Sequence, residues 1–340
     1  MARKILIVRF SSIGDIVLTS PVVRAVKRQL PGAEVHFLTK EAYAPVLQAN
    51  PRIDKVITIR KTVGEALPEL RSHRYDFIID LHNNLRSWQV ILALGRPFSR
   101  FNKLNLRKWL LVRLKLRVMP DVHIVDRYLK AAARLKVSGD GEGLEFYIPE
   151  GDEVDTGRLP EQFRTGYVAL VTGGRHKTKI LPAEKMIEVC RLLRLPVVLL
   201  GGPEDRERAG IVAEALGSGV LNACGVFSLM QSASLVKQAV AVVSNDTGLM
   251  HIAAAFHKPV VSVWGNTVPE LGMYPYLKAG EPHLVAEVRN LSCRPCSKIG
   301  FEKCPKGHFR CMMDQNSREI ADFVNRLSDA TGQDNNKILG

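Results

Sequence analysis

The sequence predicts an α/β protein built as two Rossmann-like halves, on three observations. Short apolar, β-branched runs alternate with stretches of helical periodicity, starting at Lys4 and again at Tyr167. That is the pattern of strand–helix–strand units on a parallel sheet. Between the two series, residues 138–165 are rich in Gly, Asp, Glu and Pro and read as a linker. Finally, 340 residues are too many for one typical domain and suit two. The expected division is 1–155, 160–315, and a C-terminal helix with a frayed tail over 316–340.

In the first half, Lys4 to Arg9 forms a strand and Phe10 to Asp15 a loop. Ile16 to Leu30 carries Ile16, Val23, Val26 and Leu30 at helical spacing, and Pro31-Gly32 ends it. Strands follow at Val35–Leu38, Lys55–Ile59 and Phe77–Asp80, separated by helices at Tyr43–Asn50 and Val63–Arg71. The segment 81–120 is grafted onto this alternation, and a helix opening at Asp121 runs to about Leu135. In the second half, strands are expected at Tyr167–Val171, Pro196–Leu200, 219–222, Ala239–Val243 and Pro259–Trp264. Helices lie between them at Pro182–Leu193, from the Gly201–Asp205 loop to about Leu216, at 228–237 and at Leu249–Phe256. Ser317–Ser328 is a final amphipathic helix, and the polar stretch from Asp329 to Gly340 is expected to fray.

The apolar fraction, 46%, is ordinary for a globular protein. No apolar run approaches the roughly 18–20 residues that span a bilayer. The N-terminus lacks the long apolar core and small-residue cleavage site of a leader, so it reads as a first strand and the protein as cytoplasmic. The net charge of +14 favours an anionic partner: nucleic acid, an anionic membrane or a phosphorylated substrate. From Leu81 to Pro120 there are nine Lys or Arg and no Asp or Glu, interleaved with Phe98, Phe101, Trp109 and several leucines. That mixture fits a membrane-surface element. Nucleic acid is disfavoured, because no reader motif occurs and only 6% of residues are aromatic.

Four stretches carry residues suited to chemistry. In the run Val243-Ser244-Asn245-Asp246-Thr247-Gly248-Leu249-Met250-His251, Asp246 or Thr247 is the natural cap of the following helix. Gly248 lets a ligand approach its first turn, where free amides suit a phosphate. Asp15 lies at the end of the first strand, beside a single glycine, Gly14, which disfavours a dinucleotide there. The loop from Thr172 to Lys179 combines glycines, hydroxyls and four basic or imidazole groups. Glu204 or Asp205, after the strand at 196–200, can accept from ribose hydroxyls. Cys293, Cys296, Cys304 and Cys311, with His308 nearby, are spaced to bind a structural zinc or to stand as free thiols, a permanent disulfide being disfavoured in a reducing compartment. Cys190 and Cys224 sit in apolar surroundings and read as packing residues.

Asp246-Thr247-Gly248-x-x-His251-x-Ala253-Ala254, together with Ser11-Ser12-Ile13-Gly14-Asp15, resembles the signatures of the bacterial lipopolysaccharide heptosyltransferase family. Those enzymes move heptose from ADP-heptose onto the inner core of lipopolysaccharide. The resemblance spans nearly the whole chain. It implies the GT-B fold, two Rossmann-like domains facing a central cleft, with the nucleotide on the C-terminal half and the acceptor on the N-terminal half. It also implies an inverting glycosyltransferase whose base, Asp15, deprotonates the acceptor hydroxyl as it attacks the anomeric carbon, with Ser11 and Ser12 on the acceptor side.

The resemblance also populates the donor site. The family's lysine, two residues before Trp-Pro, matches Lys179-Ile180-Leu181-Pro182, with Leu181 in place of Trp. Lys177 therefore stays open beside Lys179 as the cation that stabilises departing ADP. Thr172, Glu204 (or Asp205), Phe227 against adenine, Asp246 toward sugar hydroxyls or Lys179, the amides of Thr247 and Gly248, and His251 on phosphate complete that site. No cofactor and no catalytic metal are expected. The acceptor would be a lipid-linked, phosphorylated core sugar at the inner face of the cytoplasmic membrane, with the segment 81–120 on that surface and the protein a monomer. The rivals are a GT-B enzyme using a UDP- or GDP-sugar, and a basic, non-catalytic membrane-surface or nucleic-acid-binding protein.

Overall fold

Strands with apolar residues on both faces need cover on both faces, and such strands pair in parallel between helical layers. In the computed structural model, which describes residues 3–337, every strand pairing is parallel. The first series runs β1 (Lys4–Val8), α1 (Ile13–Val17), α2 (Ser20–Gln29), β2 (Glu34–Lys40), α3 (Pro45–Gln48), β3 (Lys55–Ile59), α4 (Leu67–Ser72), β4 (Phe77–Asp80), α5 (Leu85–Leu94) and β5 (Phe98–Arg100). Then come α6 (Asn105–Trp109) and α7 (Ile124–Ala132). The second series runs β6 (Val168–Val171), α8 (Ala183–Leu192), β7 (Val197–Leu200), α9 (Arg206–Leu216), β8 (Val220–Asn222), α10 (Leu229–Gln238), β9 (Ala241–Asn245), α11 (Gly248–Ala255), β10 (Val260–Trp264) and β11 (His283–Glu287). Two helices close the chain, α12 (Arg310–Met313) and α13 (Ser317–Lys337).

The first sheet has the order β3-β2-β1-β4-β5, with Ile7 opposite Phe37 on one side and Ile79 on the other. The second has the order β11-β10-β9-β6-β7-β8, with Val243 opposite Leu170 and Val261. Counted within its own half, the second is the 3-2-1-4-5-6 order of a Rossmann sheet, and the first is the same order without its sixth strand. In each, the winding reverses beside the half's first strand, β1 or β6. Ligands bind such sheets at the carboxyl ends of the strands, beside that reversal.

The chain forms two compact units. One holds the residues up to Leu104, Asp121–Pro149 and Tyr276–Ala279; the other holds Asn105–Pro120, Glu150–Pro275 and the residues from Gly280 on. The units therefore exchange two short segments that a linear division at the linker does not anticipate. Asn105–Pro120 joins the second unit because Leu111 and Met119 pack with Val268 and Leu271. In addition, Lys115 Nζ donates to the carbonyls of Cys293 (3.1 Å) and Pro295 (2.6 Å). Tyr276 joins the first unit: its hydroxyl donates to Asp126 at 3.0 Å and its ring lies 4.7 Å from that of His123.

Other differences from the sequence reading are local. The helix expected at 16–30 is two helices, and the second has Pro21 in its first turn, where a missing N–H costs nothing. β5 and β11, edge strands poor in buried aliphatics, lie outside the expected elements. The last helix continues to Lys337 instead of stopping at Ser328; residues 338–340 of the expected frayed tail lie outside the described ones. Residues 138–165 form no strand; 138–149 belong to the first unit, where Leu144 and Phe146 are buried, and three short 3-10 helices, Glu150–Asp152, Thr156–Arg158 and Glu161–Phe163, follow in the second. Among the described residues, no helix is long and apolar enough to cross a membrane.

Candidate functional site

In the second unit the site starts from Asn245, the last residue of β9 and almost wholly buried. Its Oδ1 accepts from the Leu181 amide at 3.0 Å, and its Nδ2 donates to the carbonyls of Val171 (3.1 Å) and Gly173 (3.2 Å). One amide thus fastens both ends of the loop after β6 to β9. That loop carries Lys179, whose ammonium pairs with Asp246. The Thr267 hydroxyl, from the turn after β10, donates to the same Asp246 oxygen at 3.2 Å. Lys179 and Asp246 are both mostly shielded from solvent, whereas Lys177 is exposed. Of the two lysines, Lys179 is the one brought to the start of α11.

Neither expected cap residue caps α11. Asp246 is engaged by Lys179 and Thr267, and the hydroxyl of Thr247, which holds the N-cap position, pairs with that of Ser244 at 3.2 Å. The first-turn amides, beginning at Gly248, therefore have no side-chain cap. They keep the positive partial charge of a helix N-terminus, next to the Lys179 ammonium. His251 lies one turn in and is buried.

The flanking loops sort the remaining candidates. Thr172 is fully buried; its hydroxyl donates to the Leu200 carbonyl at 3.2 Å and lies 3.2 Å from the Cys224 sulfur, so it is committed within the sheet. Asp205 is also buried. It accepts from the Gly202 amide (3.0 Å) and pairs with Arg208 (2.9 Å), which reaches on to the Thr172 carbonyl (3.0 Å). Asp205 is scaffold, and Glu204 beside it is exposed. Phe227 is half-buried, immediately before Ser228, whose hydroxyl caps α10 by accepting from the Gln231 amide at 3.1 Å.

In the first unit, Ser12 is the N-cap of α1 and Asp15 sits in the first turn. One Asp15 oxygen accepts from the Ser12 amide (3.2 Å) and hydroxyl (2.8 Å); the other lies 2.6 Å from Arg9 Nη2. Arg9 also donates through Nε to the Ser11 carbonyl (2.8 Å) and through Nη1 to the Leu81 carbonyl (2.5 Å). Burial disfavours the guanidinium charge, and Asp15, together with Tyr128 and Asp80, more than offsets this, so the Arg9 pKa rises above its ordinary value. His82 packs edge-on against Phe10, with ring centroids 5.1 Å apart. Burial, followed by the charge of Arg9, pushes its pKa down to about 3, so it is a neutral imidazole. Behind it, fully buried Asp80 accepts from the Arg100 guanidinium (2.9 Å), the Ser87 hydroxyl (2.7 Å) and the amides of His82 and Asn83 (2.9 and 2.7 Å).

Sequence reasoning missed Arg9, His82, Thr267 and the role of Asn245. A signal existed for two of them. Arg9 is a charge at the end of an otherwise apolar strand run, and Asn245 lies inside the Asn-Asp-Thr-Gly stretch.

The cysteines do not gather as metal ligands. Cys296 Sγ donates to the Cys293 carbonyl at 3.0 Å, Cys293 Sγ lies 3.8 Å from His308 Nε2, and Cys311 is buried in the hydrophobic core. Burial pushes the thiol of Cys296 up to about 11 and that of Cys311 to about 12. Among the described residues, no group of three or more His, Cys, Asp or Glu is arranged to hold a metal ion. The zinc expectation is not supported.

The basic segment leaves large apolar side chains in water. On α5 in the first unit, Leu85 and Leu92 are 83% and 74% exposed, and Trp88 between them carries the Arg100 guanidinium 4.0 Å above its ring. In the second unit Leu106 is 71% exposed and Trp109 52%, beside exposed Arg107 and Arg113.

Comparison with known proteins gives a consistent result. The family model described as glycosyltransferase family 9 (heptosyltransferase) matches residues 65–300. The chain is 28% identical over 327 residues to lipopolysaccharide heptosyltransferase 1 of Pseudomonas aeruginosa, covering 87% of this chain and 86% of that one. Among solved structures it is similar to the ADP-heptose lps heptosyltransferase II of E. coli (TM-score 0.70, 21% identity, 95% of this chain and 98% of that one). It is also similar to E. coli heptosyltransferase WaaC with ADP (TM-score 0.66, 22% identity, 95% and 99%). These likenesses carry the fold: GT-B, with two Rossmann-like domains.

Proposed function

Because the chain belongs to glycosyltransferase family 9, the heptosyltransferases, we propose that it transfers heptose from ADP-heptose to the inner core of lipopolysaccharide by a single inverting displacement. The observation that carries this reading is the Lys179–Asp246 pair at the uncapped start of α11. A fixed cation and a row of amides at one point suit a diphosphate, and they stabilise it most as it departs with its full charge. The relatives' names supply the donor: one is an ADP-heptose enzyme and another is solved with ADP.

In the proposed reaction the acceptor oxygen forms a bond to the anomeric carbon while the bond from that carbon to the phosphate oxygen breaks. The acceptor proton passes to Asp15, with Ser11 and Ser12 beside the acceptor, and ADP leaves with the bonding electrons. Lys179, the Thr247 and Gly248 amides and His251 take up the charge on the diphosphate. Asp246 holds the Lys179 ammonium in place and can meet a sugar hydroxyl. Glu204, exposed where Asp205 is committed, is the ribose ligand, and Phe227 lies against adenine. Thr172 contributes backbone at most, since its hydroxyl is used within the sheet. No metal is assigned a step, and turnover should persist in EDTA.

The acceptor is lipid-linked, so we assign the apolar and basic surfaces of 81–120 to the inner face of the cytoplasmic membrane. The protein would act there as a peripheral, monomeric enzyme. The test is calorimetric titration with ADP, UDP and GDP in EDTA, followed by turnover of ADP-heptose. Preference for ADP supports the reading. Preference for UDP or GDP moves the donor to another nucleotide sugar, and binding of none of them removes the nucleotide site. Asp15→Ala should bind ADP like the parent and lose transfer.

A further inference from the structure

We propose that Arg9 is the positioning residue for proton transfer: its guanidinium fixes where the Asp15 carboxylate lies and keeps it ionised. The inference rests on the reading of Asp15 as the base.

Arg9 is held from three directions. Nε is bonded to the Ser11 carbonyl in the loop after β1, Nη1 to the Leu81 carbonyl just past β4, and Nη2 meets Asp15 on α1. The guanidinium is a planar fork, so two bonds to backbone fix the direction of the third. The carboxylate docks on a rigid cation. The Ser12 amide and hydroxyl, on its other oxygen, fix its rotation.

The position is a costly one for an arginine. The four residues before it, Ile5 to Val8, are fully buried aliphatics, and Arg9 itself is 7% exposed, with the Tyr128 ring centroid 5.7 Å from its Cζ. A buried charge is destabilising unless it is paired and hydrogen-bonded. As scaffold alone, an aliphatic residue would cover the sheet end at lower cost. What the arginine adds is an oriented positive charge against one carboxylate.

The other charges around this pair come from each neighbouring element: Lys40 at the end of β2, Asp80 and His82 at the end of β4, Lys103 after β5, and Arg127 and Tyr128 on α7. Asp80 is itself bound by Arg100, and His82 is neutral. Arg9 Nη2 meets an Asp15 oxygen at 2.6 Å, and its other nitrogens are anchored on backbone.

The experiment compares Arg9→Gln, Arg9→Lys and Asp15→Asn for ADP affinity, kcat, KM and the pH profile of kcat. Arg9→Gln keeps a polar, hydrogen-bonding side chain without the charge. Loss of a contacting cation raises a carboxyl pKa by about one to three units, so the acid limb of the profile should move up by that amount. The plateau should fall by up to about 100-fold, the cost of a misplaced base, with ADP affinity unchanged. Arg9→Lys should keep the acid limb near its parent position and lose part of the plateau. Asp15→Asn separates the two readings. If it retains transfer, the base assignment fails and takes this inference with it. If it is inactive while Arg9→Gln leaves the acid limb unmoved, the role of Arg9 alone is overturned. Should Arg9→Gln not fold, Arg9→Lys decides: parental kcat refutes the inference, and a fall of tenfold or more at unchanged ADP affinity supports it.

Discussion

Lys179 meets Asp246 before it meets any ligand, and that pairing decides what each residue can do. A lysine tied to a carboxylate is oriented, and it can share its donors with a phosphate at little reorganisation cost. Lys179→Met is expected to lower kcat by about 100- to 1,000-fold, as removal of a preorganised donor does. Initial rates beside a thermal melt check this, and the melt should change far less than the rate. Asn245 should behave in the opposite way. Its amide satisfies one buried N–H and two carbonyls. Asn245→Ala should therefore cost at least about 3 kcal/mol in urea unfolding, since each of the three abandoned partners costs roughly 1–3 kcal/mol. His82 gives a pH signature. Its folded pKa of about 3 lies below the ordinary 6.5. In that window the unfolded chain binds a proton that the folded one does not, so stability is full above 6.5 and falls on acidification toward 3. His36, also lowered by burial, adds to the same slope. Denaturant titrations at pH 7 and pH 5 should differ less for His82→Gln than for the parent. The pairing of Lys179 with Asp246 could be read from the sequence because it joins opposite charges of two motifs. Arg9 and Asn245 are marked in the sequence only by their positions; their roles are bonds to backbone, to Leu81 for Arg9 and to Val171, Gly173 and Leu181 for Asn245, and backbone leaves no trace in side-chain spelling.

At the scale of elements, periodicity served wherever an element was both apolar and long enough. β1, β4 and β7, all interior strands, stand within a residue of their expected bounds, since a strand buried on both faces must be spelled in aliphatics. β5 and β11 escaped because an edge strand buries less, and theirs are Phe98-Ser99-Arg100 and a run opening on His283. α5 shows the limit from the other side. Its periodicity is helical, yet Leu85, Trp88 and Leu92 lie on its outer face, which periodicity alone would place in a core. Exposed leucines and a tryptophan beside basic residues suit an interfacial element. Leu85→Asp with Leu92→Asp should therefore reduce cosedimentation with vesicles containing anionic lipid while leaving ADP affinity at the parental value. Equal sedimentation of the two proteins would remove α5 from the membrane surface.

At the scale of the molecule, the net charge of +14 narrows the partner to an anion without naming it. The proposed donor residues all belong to the second unit and Asp15 to the first. ADP should therefore stabilise the Asp15→Asn variant as it does the parent. At about 100 times its Kd a ligand adds roughly 2.7 kcal/mol, a clear rise in melting temperature; UDP at the same concentration should give less. The two-unit plan was readable because a linker differs in composition from the sheets around it. The traded segments were not, since Leu111 and Val268 are far apart in the sequence and only packing joins them.

That trade sets an order on biosynthesis. The polypeptide emerges from the ribosome amino end first, and it passes between units at Leu104, Pro120, Pro149, Pro275 and Ala279. His123 and Asp126 must wait for Tyr276 to be translated, and Leu111 must wait for Val268 and Leu271. The amino-terminal half cannot finish alone and be followed by the other. A ribosome stalled in the linker would hold a nascent chain whose basic, leucine-rich segment Asn105–Pro120 has nowhere to dock, a natural client for a chaperone, and a protease cut at the same point would not yield two self-sufficient fragments.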